Sequence, residues 1–125
     1  VEESRHARIW ANWENALASI HYERSVSEGP SEYARAFARL ENHYFKNAVF
    51  LEHDDWIMQN RPRITHIPAH IVQGRYDMIC PPRSANRLAE GWPLARLALI
   101  PMAGHALSEP GISEELVRVM DGLRG

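Results

Sequence analysis

At 125 residues, with 45% hydrophobic and 24% charged residues and a formal net charge of −2, the sequence has the size and balance of one ordinary soluble globular domain. Its basic residues are scattered, which argues against a nucleic-acid binder, and no apolar run approaches the length that spans a bilayer, so neither nucleic acid nor membrane is expected as a partner. Val1-Glu2-Glu3-Ser4-Arg5-His6 is too polar for a signal peptide and the single cysteine, Cys80, excludes an internal disulfide, so the expected setting is cytoplasmic, with a free thiol.

From about Ser4 to Ile20 apolar residues recur at three- and four-residue steps, with Ile9, Trp13, Ala16, Leu17 and Ile20 on the stripe and Trp10 widening it, which predicts an amphipathic helix. Glu14 shares a helical row with Trp10 and Leu17, so its carboxylate points to the apolar side or its margin. Gly29-Pro30 and a Ser31 cap introduce a second predicted helix, Ser31 to Lys46, with rows Tyr33, Phe37, Leu40, Tyr44 and Ala34, Ala38, Glu41, Phe45. Here too an acid, Glu41, interrupts an aromatic face. Two such acids suggest converging carboxylates with a cationic partner, because an unpaired buried charge costs several kcal/mol. The plainer alternative is that each pairs at the helix rim with Arg8, Arg39 or His43.

Between Asn47 and Arg63 the pattern predicts short helices, one starting at His53-Asp54-Asp55 and ending at Asn60-Arg61-Pro62. Of the seven histidines, His66 and His70 are the metal candidates. Pro68 separates them and the second falls on a predicted strand, so a helical i, i+4 pair is not available and neither metal nor cofactor is expected. The chain changes character near Arg61 to Thr65, dividing a helical part, 1–63, from a strand-and-helix part, 64–125.

In that second part His70 to Gln73 reads as a strand ended by Gly74, Pro82 to Trp92 as a helix with Ala85, Leu88, Ala89 and Trp92 inward, and Leu97 to Ile100 as a strand buried on both faces. Ile112, Leu116, Val119, Met120 and Leu123 mark a terminal amphipathic helix. In a parallel strand-helix-strand unit, residues just past the two strands share one carboxyl rim. Asp77 and His105 stand there, and an Asp that orients a His is two thirds of a nucleophilic triad. An aspartate after a strand is also a common turn former, and Gly104-His105 can be an ordinary loop.

Pro68-Ala69-His70-Ile71-Val72-Gln73-Gly74-Arg75-Tyr76-Asp77-Met78-Ile79-Cys80-Pro81 and Pro101-Met102-Ala103-Gly104-His105-Ala106-Leu107-Ser108-Glu109-Pro110-Gly111-Ile112 resemble the C-terminal part of proline iminopeptidases, a branch of the α/β-hydrolase superfamily. Trp10-Ala11-Asn12-Trp13-Glu14 and Phe37-Ala38-Arg39-Leu40-Glu41-Asn42-His43-Tyr44-Phe45 are similar to segments of that family's helical cap, with Leu40 where isoleucine is expected. The resemblance covers nearly the whole chain. It implies an α/β fold with part of a helical cap over residues 1–63 and the C-terminal part of the hydrolase core over 64–125. It also implies Asp77 and His105 as catalytic residues, Glu14 and Glu41 as ligands of the protonated N-terminal proline of a peptide substrate, and no cofactor.

The superfamily places its nucleophile in a G-x-S-x-G elbow, which this sequence does not contain. Ser25 and Ser27 lack a preceding apolar strand and paired glycines, and the Pro81-Pro82 after Cys80 denies that thiol a helix N-terminus. The expectation is therefore the C-terminal portion of a serine aminopeptidase, inactive alone and prone to self-association because a two-strand parallel sheet leaves an edge uncovered. Another hydrolase of the superfamily, such as an esterase or epoxide hydrolase, would share Asp77 and His105 without needing Glu14 beside Glu41, and a noncatalytic interaction module would need neither pair.

Overall fold

The computed structural model describes residues 2–21 and 31–124. Ser25, Ser27, the Gly29-Pro30 entry to the second helix and the side chain of Ser31 lie outside the described residues.

Helices α1 (Glu2–Ala18) and α2 (Ser31–Lys46) lie side by side. Their seam is built from Ala7 and Ala11 on one helix and Ala34 and Ala38 on the other, with Trp10 and Phe37 packed against it. Each alanine pair is spaced by four and forms one ridge, and side chains this small let two ridges approach closely. The expectation from periodicity is met in part: the Ala34 and Ala38 row of α2 lies at the seam, Trp10 and Phe37 pack against it, and Glu14 is buried with Ala7 and Ala11. Ile9, Trp13, Tyr33, Leu40, Tyr44 and Phe45 are all exposed, because the helices close on their smallest residues and leave the large flanking side chains uncovered among the described residues.

The chain then makes a 3-10 turn over Ala48–Phe50, with φ of 48°, 56° and 58° at Ala48, Val49 and Phe50. Left-handed backbone costs roughly 1–2 kcal/mol for each residue with a Cβ. Part of that cost is offset by the Phe50 ring, whose centroid lies 5.3 Å from that of His43 and 5.6 Å from that of Tyr44. A short helix α3 (Trp56–Asn60) and a second 3-10 turn (Arg61–Arg63) follow, which agrees with the short helices expected there. The Arg61 guanidinium lies over Gly91, where a Cβ would strike it, and Nη1 donates to the Arg87 carbonyl at 2.8 Å.

Strands β1 (Ala69–Gly74) and β2 (Ala95–Ile100) pair in parallel, in register from Ala69 opposite Ala95 to Gly74 opposite Ile100. Helix α4 (Pro82–Glu90) connects them, and α5 (Pro110–Gly122) packs on both strands. Both helices carry proline in their first turn, where its missing N–H is not needed and its fixed φ suits the helix. The order strand, helix, strand, helix is the one the sequence predicts. Burial of β2 on both faces is not reached: Leu99 is 40% exposed, and Met120 of α5 and Leu123 just after it are more exposed still. The described sheet has two strands, too few to place a covered face on each side.

Candidate active site

Pairing between the strands continues into the loops that follow them. Arg75 N–H donates to the Ile100 carbonyl at 2.9 Å and Tyr76 N–H to the Ala103 carbonyl at 3.0 Å. Gly74 makes this possible, since a Cβ there would run into the carbonyls of Gly104 and Ala103. The two loops are thereby laced together, and the residues just beyond the lacing are Asp77 on one and His105 on the other.

His105 Nδ1 lies 2.9 Å from Asp77 Oδ2. An ionised carboxylate only accepts, so in the neutral ring Nδ1 carries the proton and Nε2 is left with a lone pair. The Asp77 side chain is 5% exposed and that of His105 39%, which leaves the imidazole accessible above a buried anion. The other Asp77 oxygen, Oδ1, accepts the amides of Ile79 at 2.9 Å and Cys80 at 2.7 Å. Burial pushes the Asp77 carboxyl up, but the Cys80 amide, the His105 ring and the Ile79 amide together overcome it and hold the group below the ordinary carboxylate range.

Glu14 is buried at 9% exposure, one turn before the end of α1. Burial first, and the neighbouring Glu41 charge second, push its carboxyl above the ordinary range, while His105 acts in the opposite direction. Glu14 thus feels both Glu41 and His105. Glu41 is held from α1: Trp10 Nε1 donates to its Oε2 at 2.6 Å. The rim pairing weighed as an alternative does not occur for these acids among the described residues. Arg39 reaches Glu3 instead, at 2.6 Å, and the His43 ring packs edge-on to Tyr44 and tilted against Phe50.

Cys80 is a free, exposed thiol, pushed up first by burial of its sulfur environment and then by Asp77 and Glu14, so it is a poor thiolate. Among the described residues no group of three or more His, Cys, Asp or Glu is placed to hold a metal, and no helix is long and apolar enough to cross a membrane.

Two polar residues near the dyad carry no sequence signal strong enough to single them out. Gln73 Nε2 lies 3.1 Å from Asp77 Oδ2 and equally far from the carbonyls of Gly74 and Cys80, filling the inner side of the Asp77 turn. A glutamine at a strand end reads as an ordinary half-exposed residue. Glu109 is 7% exposed and accepts the amides of Ile20 at 3.2 Å and Gly104 at 3.3 Å. By position it reads as an acidic residue before a helix, yet its side chain makes no capping bond to α5.

No family model matches the chain. Individual proteins do. The chain is 42% identical over 118 residues to a proline iminopeptidase of Xanthomonas citri, covering 93% of this chain and 38% of that protein. It is 44% identical over 113 residues to one of Arabidopsis thaliana, 89% of this chain and 30% of the relative, and 39% identical over 117 residues to one of Neisseria gonorrhoeae, 94% and 37%. The chain therefore spans between 30% and 38% of the length of these relatives.

Proposed function

The chain is the counterpart of the C-terminal portion of the proline iminopeptidases, which are α/β-hydrolases, and on that premise we propose that it supplies the base, the orienting acid and the amine pocket of a serine aminopeptidase releasing N-terminal proline. The observation that carries this reading is the 2.9 Å contact of His105 Nδ1 with buried Asp77, with the Glu14 carboxyl close enough to feel the charges of both Glu41 and His105.

In this mechanism a serine outside these 125 residues attacks the carbonyl that follows the N-terminal proline. His105 Nε2 takes the hydroxyl proton as the C–O bond forms, and Asp77 keeps the ring in the tautomer that leaves Nε2 basic and stabilises the imidazolium. The imidazolium then gives that proton to the departing peptide amine as the C–N bond breaks, leaving a prolyl ester on the serine. A water attacks this ester with His105 again as base, and proline leaves as the serine recovers its proton. Glu14 and Glu41 hold the protonated ring nitrogen of the proline. One cation between two carboxylates relieves both the burial cost of Glu14 and its repulsion from Glu41.

The test is selective loss. In the enzyme that includes the nucleophile, Glu14→Gln and Glu41→Gln should each reduce kcat/KM for a proline amide by roughly tenfold or more, the scale of one charge-assisted contact, and barely alter hydrolysis of an amine-free ester. Equal losses on both substrates would instead favour a general esterase of the same superfamily.

A further inference from the structure

The joint between α1 and the His105 loop is made of four polar contacts across a long stretch of sequence. The carbonyl of Ala18, the last residue of α1, accepts two amides, those of His105 at 2.8 Å and Ala106 at 2.7 Å. Glu109 completes the joint from below, one carboxylate oxygen on the Ile20 amide just past α1 and the other on the Gly104 amide just before His105. Gly104 is pressed against the same place, since a Cβ on it would lie 2.8 Å from the Ala18 carbonyl oxygen. Glu109 is buried, and neither oxygen bonds a cation or a side chain among the described residues. Glu14 stands one helical turn before Ala18 on the same α1.

We infer that Glu109 is a positioning residue: it locks the end of α1 to the His105 loop, so that engagement of a substrate ammonium at Glu14 is transmitted through one rigid helical turn to the position of the catalytic base. A helical turn is stiff, because its hydrogen bonds repeat at every residue, and a buried carboxylate between two backbone amides resists sliding. A displacement of Glu14 toward a bound cation therefore moves Ala18 and, with it, the amides of His105 and Ala106. Amine recognition and base alignment become one event, which favours substrates with a free N-terminal proline at the chemical step as well as in binding. The inference rests on the amine-pocket reading above and adds a residue outside both the dyad and the pocket.

A double-mutant cycle in the enzyme that includes the nucleophile tests it, with Glu14→Gln, Glu109→Gln and the pair, on a proline amide and on an amine-free ester. Glu109→Gln keeps the size of the side chain but replaces one acceptor by a donor facing a backbone amide. It should lower kcat for the proline amide by roughly tenfold, with KM changed much less and with a smaller kcat loss on the ester. In combination with Glu14→Gln the kcat losses should fall well short of multiplying, because both changes break one transmission. Losses that multiply would overturn the coupling. If Glu14→Gln leaves the preference for the proline amide intact, the amine pocket itself is wrong, an outcome separate from the clamp. A measurement on the unmutated enzyme covers failure of the variant to fold: saturating L-prolinamide should slow hydrogen exchange at the amides of His105 and Ala106, and unchanged exchange there would also overturn the proposal.

Discussion

Asp77 and Glu14 are both buried acids, but they are buried in opposite ways. Asp77 sits where its own loop turns two amides toward one oxygen and the loop after β2 brings a histidine to the other, so its charge is favoured before any ligand is involved. Glu14 is buried on the alanine side of a helix pair, beside a second carboxylate, where its charge is disfavoured unless a cation joins it. A turn can surround a carboxylate with backbone donors, whereas a helix interior has already spent its amides on the preceding turn and leaves a side chain only what its neighbours offer. The strand side is thus pre-organised for a permanent anion, and the helical side, on the function proposed above, for a transient ion pair.

The sharpest way to break the comparison is to remove the permanent anion. Asp77→Asn in the enzyme that includes the nucleophile should lower kcat on proline amides by about four orders of magnitude, the loss typical when a triad histidine is held in the wrong tautomer. A loss below tenfold would place Asp77 outside the chemistry. Next in size is Gly74→Ala, which drives a methyl group into the carbonyls of Gly104 and Ala103 and should cost roughly 1–3 kcal/mol in urea unfolding, with loss of the Asp77–His105 contact visible in the histidine NMR spectrum. An unchanged unfolding midpoint would mean that the two loops are not tightly laced.

The pH dependence separates the two acids by sign. Asp77 has a lowered pKa in the folded state, so its contribution is present above the unfolded value and lost as pH falls through the folded one. For Glu14 the raised value means that the folded state favours the proton, so its contribution is present at low pH and lost as pH rises through the folded value. Glu14→Gln should therefore stabilise the chain at neutral pH while Asp77→Asn destabilises it, in parallel denaturation series from acid to neutral pH. Changes of the same sign would mean that the two acids are not buried in opposite ways.

The smallest effect is at the turn after α2. Val49→Gly relieves one left-handed residue with a branched side chain and should stabilise the chain by about 1 kcal/mol, read as a rise in the unfolding midpoint with catalytic constants unchanged. Alongside it, the exposed side chains of Tyr33, Leu40, Tyr44 and Phe45 on α2 and the two-strand sheet lead us to propose that the isolated 125-residue polypeptide associates with itself. Light scattering showing a monomer at micromolar concentration would contradict that.

Much of the architecture is legible in the residues themselves. Proline at the helix starts, the continuous apolar run of β2 and the glycine that ends β1 specify strand, helix, strand, helix, because these are local choices of backbone and period. That Asp77 and His105 share a rim follows from the parallel crossover. How α1 meets α2 was legible only in part: the Ala34 and Ala38 row and the inward side of Glu14 follow from periodicity, whereas Ala7 and Ala11 take the place expected of Ile9 and Trp13, since that preference belongs to the fit of two ridges and not to either helix alone. Gln73 and Glu109 were equally hidden, because their partners are backbone amides and carbonyls with no residue-type signature. Sequence determined the elements and the chemistry at the rim; tertiary structure decided the seam, the clamp at Ala18 and the sign of each acid's shift, all of which depend on distances between groups far apart in the chain.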